Sequence, residues 1–233
     1  MKHRVVVPEL MDDPKISRAT HEVALAGLAR LNRWSRSDAG LWSLLQPEAK
    51  QVAPGALRIL DLATGSGDLP VRLACRARRA RVNLALAGCD VSLNAIEIAR
   101  QQAKKRGVNV EFFQRDVIHQ ELPAGYDVII TSLFLHHLTE PDAIQLLRRM
   151  ADFAERLVIV NDLNRGWFNL GLVTIASRVL SRSFVVHHDG PASVRAAFTR
   201  AEAQQLAARA GLINAEVVSQ TPCRWLLSWR KPA

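Results

Sequence analysis

Cysteine is scarce in this 233-residue chain: Cys75, Cys89 and Cys223 stand far apart, and no C-x-x-C pair occurs. That spacing excludes a zinc ribbon and a disulfide framework, and it fits a reducing compartment, so a cytoplasmic protein is expected. Long hydrophobic runs are missing too. The longest uncharged stretch, "GWFNLGLVTIASRVL", is interrupted by Arg178 and falls short of the roughly 18 apolar residues that a membrane span needs. It predicts a buried or amphipathic helix and no membrane span. The opening "MKHRVVVPELMDDP" has charges but no apolar core for a signal peptide, so no secretion is expected. No segment is biased enough to read as disordered and no internal repeat is visible; 48% apolar and 23% charged residues are ordinary for a globular chain. Acidic residues are outnumbered 22 to 31, and 25 of the 31 basic residues are arginine, giving a net charge of +9. The basic clusters at 72–81, 104–106 and Arg148-Arg149 each fall late in a predicted helix, where cations favour the helix dipole. Charge alone therefore does not argue for a nucleic-acid partner.

What is present is an alternation. From residue 57 onward short apolar runs alternate with helical patterns, the signature of a parallel sheet covered on both faces. Strands are predicted at 57–63, 83–89, 110–115, 126–132 and 156–162, with helices near 68–80, 92–106 and 140–153. Further on, "FTRAEAQQLAARAGL" reads as a helix with a capping box, Thr199 and Glu202, and a terminating Gly211. The runs "INAEVVSQ" and "RWLLSWR" follow, separated only by Thr221, Pro222 and Cys223, too little chain for a helical crossover, so they must pair antiparallel. The fold class expected is α/β, a doubly wound and mostly parallel seven-stranded sheet. Residues 1–50, with "SRATHEVALAGLARLNRW" and "GLWSLL", form a candidate helical lid over the ligand edge. Residues 51–233 form the sheet domain, with a substrate-shaping insertion at about 163–198.

The first predicted strand runs into "LDLATGSGDLP", residues 60–70, so two glycines occupy the first strand-to-helix turn, where backbone can approach a ligand closely. A dinucleotide site would continue to a third Gly or Ala and would hold a pyrophosphate at the helix N-terminus. Here Pro70 stands in that place, and Asp61 lies four residues before Gly65. A carboxylate there repels pyrophosphate but suits an ammonium group and a nearby cation. S-adenosylmethionine carries both, an α-amino group and a sulfonium, and no phosphate.

The motif resembles that of the class I S-adenosylmethionine-dependent methyltransferases, and "LDLATGSGDL" is similar to the menaquinone/ubiquinone-biosynthesis C-methyltransferase branch and its small-molecule relatives. The resemblance covers about residues 55–162. It implies cofactor contacts from Asp61, Ala63, Thr64, Gly65, Ser66 and Gly67 in the first turn, from Asp90 and Val91 after the second strand, and from Asp116 and Val117 after the third. By the same resemblance Ser132 and Leu133 lie beneath the methionine part, Asp90 takes the ribose hydroxyls and Asp116 faces the adenine amino group. Singly, Asp61 reads equally well as a buried strand-end acid, Asp90 as a helix cap and Asp116 as a turn residue. Three acids at three successive strand ends beside G-x-G favour the nucleoside.

The acceptor is approached by exclusion. "TSLFLHHL" after the fourth strand lacks the N-P-P-Y loop of amino-methylating nucleic-acid enzymes, and the Pro222-Cys223 pair lies in the last hairpin instead of a nucleophile loop. Metal-dependent catechol methyltransferases use acids after strands four and five; this chain has Thr131-Ser132 and Asn161-Asp162, so no metal is expected. A small-molecule acceptor remains, phenol-, polyketide- or quinol-like, methylated at oxygen. C-methylation of a quinol, an RNA methyltransferase and a non-catalytic cofactor-binding protein are the alternatives, and a homodimer is compatible with all of them. Trp34, Trp42, Phe134, Trp167, Phe168 and Phe184 in the variable segments suggest a flat or lipophilic pocket. Ionising a phenol at pH 7 costs about 4 kcal/mol, which a positioned histidine can share. The candidate bases are His136 and His137 after the fourth strand, and His187 and His188 in "HHDGPAS", read as a functional loop with a Gly-Pro turn. The catalytic set expected is His137, His188 and Asp162, with His136, Arg165, Trp167, His187 and Arg195 contacting substrate.

Overall fold

The computed structural model describes residues 1, 3–12, 16–34 and 38–232. Seven strands form one sheet in the order β3-β2-β1-β4-β5-β7-β6. Their ranges are β1 Leu57–Leu62, β2 Leu84–Asp90, β3 Glu111–Gln114, β4 Tyr126–Ser132, β5 Ala154–Leu163, β6 Glu216–Gln220 and β7 Arg224–Arg230. The first five are mutually parallel, while β7 runs antiparallel to both β5 and β6. Strand order reverses between β1 and β4, so the carboxyl ends of these two strands flank the switch point where an α/β sheet opens a crevice.

Eight helices accompany the sheet among the described residues: α1 Arg18–Trp34, α2 Asp38–Gln51, α3 Asp68–Ala80, α4 Leu93–Arg106, α5 Glu140–Phe153, α6 Trp167–Leu180, α7 Phe184–Ala196 and α8 Arg200–Arg209. Local chemistry fixes their ends. Ser92 Oγ accepts from Ala95 N–H at the start of α4, Thr139 Oγ1 accepts from Asp142 N–H at the start of α5, and Thr199 and Glu202 close a full capping box on α8. One face of the sheet packs against α5 and α8 through Leu147, Met150, Leu206 and Trp225; the other packs against α2 and α3 through Leu41, Leu45, Leu69 and Leu73. Because both faces are covered, the central strands are buried along nearly their whole length.

The expected lid divides in two. Helix α2 belongs to the sheet's own core, with Leu41, Trp42, Leu45 and Ala49 buried there. Only α1 and the segment before it join α7 in a separate small cluster, built on Ala24, Val185 and Val186 with Leu10, Met11, Leu28 and Leu31 around them. The segment "HHDGPAS" is a correction: it is no loop but the middle of α7. Gly-Pro reads as a breaker in sequence, yet the helix continues because residues 189–194 are all buried. Gly190 also lets α6 approach: a Cβ there would meet Val173 Cγ1 at 3.3 Å.

Candidate active site

The turn after β1 is built from left-handed residues. Ala63, Gly65 and Gly67 have φ of 52°, 55° and 72°, and Thr64 N–H is tied to the carbonyl of Cys89 at 2.9 Å. Gly67 is required by space as well as by φ, since a Cβ would fall 2.7 Å from Ala99 Cβ and Phe112 Cζ. At Gly65 the corresponding direction is open, with nothing within 4 Å. Ala63 and, after β4, Leu133 at φ 59° hold a conformation that costs L-residues about 1–2 kcal/mol, and both line the same cleft.

Asp61 sits beneath this turn, only 2% exposed. Its Oδ2 accepts from Thr64 Oγ1 at 2.5 Å, whereas Oδ1 is buried with no hydrogen-bond partner. Burial, reinforced by Asp90 and opposed by the Thr64 hydrogen bond and Arg72, pushes its carboxyl up to about 7. A buried acceptor without a donor is costly in a folded chain, so this oxygen marks a place where a donor, preferably a cation, would be stabilised. Asp90 holds the turn from the next strand: Oδ2 accepts from Gly65 N–H at 2.8 Å and Oδ1 from Ser92 N–H at 2.9 Å. Asp116 folds its own turn, with Oδ1 accepting from the N–H groups of Ile118 and His119 and Oδ2 2.8 Å from His119 Nδ1; the His119 hydrogen bond leads in holding its carboxyl below the usual range.

These groups open onto a cleft of about 1040 Å³. Of the twelve residues expected at the cofactor, all but Gly67 line it, and Gly67 packs behind the turn. The cleft continues past Ser132 and Leu133 to a second end lined by Met11, Ile16, Leu25, Leu28 and Phe134, with Glu9, Asn32 and His137 among its polar groups.

Behind that end lies a buried pair. His136 and Asp162 are 3% and 1% exposed, His136 Nδ1 is 2.7 Å from Asp162 Oδ1, and Asp162 Oδ2 accepts from the His136 backbone N–H at 3.0 Å. Burial pushes the Asp162 carboxyl up, but the His136 ring and the hydrogen bonds outweigh it, so the group stays below the usual carboxylate range. An acceptor-only carboxylate leaves Nδ1 as the donor, and Nε2 is the ring nitrogen on the far side from Asp162. That Nε2 lies 3.8 Å from Glu9 Oε1, and His137 Nε2 lies 3.9 Å from Glu9 Oε2. The two imidazoles stack with ring centroids 4.4 Å apart.

Glu9 is the functional candidate that sequence reasoning missed, and nothing local in the sequence announces it, because its partners are more than 120 residues away. What brings it in are clamps on the segment around it. Arg4 Nε donates to the carbonyl of Ala196 at 2.6 Å, and Nη2 donates to the carbonyls of His136 and Leu138 at 3.1 and 3.0 Å, while the guanidinium lies over the Phe198 ring. Asp189 accepts from the backbone N–H groups of Leu10 and Met11 at 2.9 and 3.0 Å, and Ser193 donates its hydroxyl to Glu9. Thus the Asp of "HHDGPAS" fastens the segment that delivers Glu9.

Glu9, His136 and His137 are also the one group among the described residues whose ligand atoms fall within 4.8 Å of one another as a metal site requires. Zinc at about 2.0–2.1 Å from tetrahedral ligands would hold them about 3.4 Å apart. The observed 3.8 and 3.9 Å are wider than that and also beyond direct hydrogen-bond reach, and Glu9 already takes the Ser193 hydroxyl.

Several expected substrate residues stand elsewhere. Arg165 is buried in an ion pair, donating to both Glu202 carboxylate oxygens at 2.8 and 2.5 Å and to the carbonyl of Ala197 at 2.7 Å, so it braces the α8 cap and is not at the cleft. Arg195 faces solvent on α7, and Trp167 is 72% exposed. His187 Nε2 binds the carbonyl of Ser181, and His188 is half exposed with Nδ1 2.9 Å from Asp189. The α7 helix aims these two histidines away from the cleft that the loop reading assigned to them. Of the six aromatics expected around the acceptor, Phe134 lines the cleft, Trp42 is core, Trp167, Phe168 and Phe184 face solvent, and the Trp34 side chain lies outside the described residues.

Comparison with known proteins bears on the strand-end turn directly: residues 59–156 match the family model of a methyltransferase domain. That stretch, less than half of the chain, is similar to a methyltransferase domain. Over 105 residues it is 34% identical to the demethylmenaquinone methyltransferase of Thermus thermophilus, spanning 44% of this chain and 46% of that protein. Over 80 residues it is 32% identical to a release factor glutamine methyltransferase of Bacillus subtilis, spanning 34% and 26%. The chain thus spans less than half the length of these relatives. The magnesium protoporphyrin IX methyltransferase of Synechocystis, solved with S-adenosylhomocysteine bound, superposes with a TM-score of 0.58 over 94% of this chain and 90% of that one at 17% identity, which establishes the class I fold. The matched segment holds the first turn, Asp90, Asp116, His136 and His137; Glu9 and Asp162 lie outside it.

Proposed function

We propose that this chain transfers the methyl group of S-adenosylmethionine to a hydroxyl oxygen of a small lipophilic acceptor, phenol- or quinol-like. The observation that carries the reading is Asp61 Oδ1, a buried carboxylate oxygen with no partner at the open edge of a glycine turn. The α-ammonium of the cofactor supplies the missing donor and the compensating charge, and its formation of an ion pair returns Asp61 to the carboxylate form. Asp90 lies at the ribose, Val117 and the Asp116 turn at the base, and Ser132 and Leu133 under the methionine chain. A cleft of about 1040 Å³ stands at the upper end of the range of about 300–1,000 Å³ for one ligand, room enough for cofactor and acceptor together.

The second end sets the chemistry. Met11, Ile16, Leu25, Leu28 and Phe134 take the apolar body of the acceptor, and Glu9 with His137 meets its hydroxyl. The proton passes from the hydroxyl to His137, the oxygen forms a bond to the methyl carbon, and the carbon–sulfur bond electrons leave on a neutral thioether. Glu9 stabilises the imidazolium that forms, while the Asp162–His136 pair fixes the neighbouring ring. The sulfonium is already a good leaving group, so alignment and water exclusion do most of what remains. The three reduced cysteines fit a cytoplasmic setting.

A second reading, C-methylation of a quinol, is favoured by the likeness to demethylmenaquinone methyltransferase. One experiment separates them: incubation with methyl-labelled cofactor and a panel of phenols and quinols. Label in an organic-extractable product that sits in an O-methyl group, read from the methyl carbon shift, supports O-transfer; label in a methyl group on a ring carbon favours carbon. Label found only in RNA or protein overturns both.

A further inference from the structure

The outward face of the cap over the acceptor end is apolar where a surface helix should be polar. On α6, Phe168, Ile175 and Val179 are 80%, 64% and 75% exposed. Their spacing of i, i+7 and i+11 places them on one face of the helix. Trp167 at the start of α6 and Phe184 at the start of α7 are 72% and 65% exposed and extend the surface at both ends. The segment that carries this face has charge of one sign. Between Asp162 and Asp189 the sequence contains no aspartate or glutamate, while Arg178 and Arg182 are exposed beside the apolar residues.

We propose that this face docks peripherally on an anionic lipid bilayer, with α6 lying in the plane of the interface. Large apolar side chains, three of them aromatic, flanked by arginines on a segment without acidic residues, are what a monotopic helix presents to the boundary between headgroups and acyl chains. Tryptophan and arginine are the side chains suited to that depth. At 14 residues α6 does not span a bilayer, and no helix among the described residues is long and apolar enough to cross one. Charge selects lipid over a second copy of the chain: two such faces would bring Arg178 and Arg182 against their own copies without an acid to receive them, whereas anionic headgroups neutralise both. The position gives docking a purpose. Helix α6 packs against α1, and α1 supplies Leu25, Leu28 and Ala29 to the acceptor end of the cleft, so one helix separates the lipid-facing surface from the lipophilic pocket. The proposal concerns the surface and holds whichever atom of the acceptor is methylated.

The test is co-sedimentation of the full chain with phosphatidylcholine vesicles made with and without phosphatidylglycerol, at low and physiological salt. The wild type is expected to partition onto the phosphatidylglycerol vesicles, more weakly at higher salt, and Trp167 emission to shift to shorter wavelength relative to a Trp167→Phe control. The pair Ile175→Glu and Val179→Glu, and separately the pair Arg178→Glu and Arg182→Glu, should each lower partitioning about tenfold or more. Thermal melting and S-adenosylhomocysteine titration show that both variants remain folded, and the arginine pair tests the charge without touching the apolar face. A wild type that stays in the supernatant overturns the proposal, as do variants that sediment like wild type. Light scattering that shows a wild-type dimer, made monomeric by Ile175→Glu and Val179→Glu with no vesicle binding, overturns it in favour of self-association.

Discussion

Lowering the pH from 8 to 5 should weaken S-adenosylmethionine binding about 100-fold, through Asp61. In the free protein burial holds this carboxyl at about 7 against an ordinary 3.8. Once the α-ammonium is beside Oδ1 the group is ionised, so below pH 7 binding must first expel a proton. Two pH units below the free-state value correspond to about 2.7 kcal/mol, at about 1.36 kcal/mol per unit. The alkaline limit is set by the ligand, whose α-amino group loses its charge near 8. Isothermal titration at several pH values, in buffers of different ionisation enthalpy, reads both the affinity and the proton count: close to one proton released per cofactor at pH 5 to 6, falling toward zero above 7. Asp61→Asn should abolish this acid dependence and cost about 2–5 kcal/mol of binding at pH 8. Stability carries the matching sign. A carboxyl raised on folding favours the folded state below its unfolded value near 4, and that advantage is lost as pH climbs to about 7, so unliganded wild type should weaken relative to Asp61→Asn across that window. Flat affinity between pH 5 and 8, with no proton released, would refute the reasoning.

Gly67→Ala forces a Cβ to 2.7 Å from Ala99 and Phe112 at a φ of 72°, and should lower stability by about 1–3 kcal/mol in urea melts. Gly65→Ala meets no atom within 4 Å, so its stability loss should stay near 1 kcal/mol while its cofactor Kd rises, because the new methyl points into the cleft. Asp162→Asn breaks a buried pair and should cost about 3–5 kcal/mol near pH 7. Since the Asp162 carboxyl is lowered on folding, the wild-type advantage is present above its unfolded value near 4 and disappears as pH falls below that, which denaturation at pH 3 to 7 will show. His137→Ala should lower kcat for a phenol about 10²–10⁴-fold at pH 7, with partial recovery at higher pH and an unchanged cofactor Kd, while His188→Ala leaves kcat intact. Glu9→Gln should lower kcat while melting close to wild type.

The sheet and the cofactor turn were legible because both are written locally. Alternating apolar runs, an acid before G-x-G and two further acids at strand ends reappear in place as β1 to β3 and their turns. The short gap at Thr221 to Cys223 was enough to fix β6 and β7 as an antiparallel pair. The acceptor end was not legible, because it is assembled over long distances. Glu9 reaches His136 and His137 through clamps from Arg4, Asp189 and Ser193, and none of these pairings leaves a period or a motif. Arg165 had the right place at the end of β5, but the capping-box carboxylate of Glu202 claims it. Gly190-Pro191 had the composition of a turn, and burial on every side of α7 overrode it.

The central claim, that Asp61 Oδ1 awaits the cofactor's ammonium group, is tested most directly by a crystal structure of the chain with S-adenosylhomocysteine. The predicted result is an amino nitrogen about 2.7–3.0 Å from Asp61 Oδ1, with the sulfur directed toward Glu9 and His137. A nucleoside bound outside this cleft, or one bound within it that leaves Asp61 Oδ1 without a partner, would contradict the account.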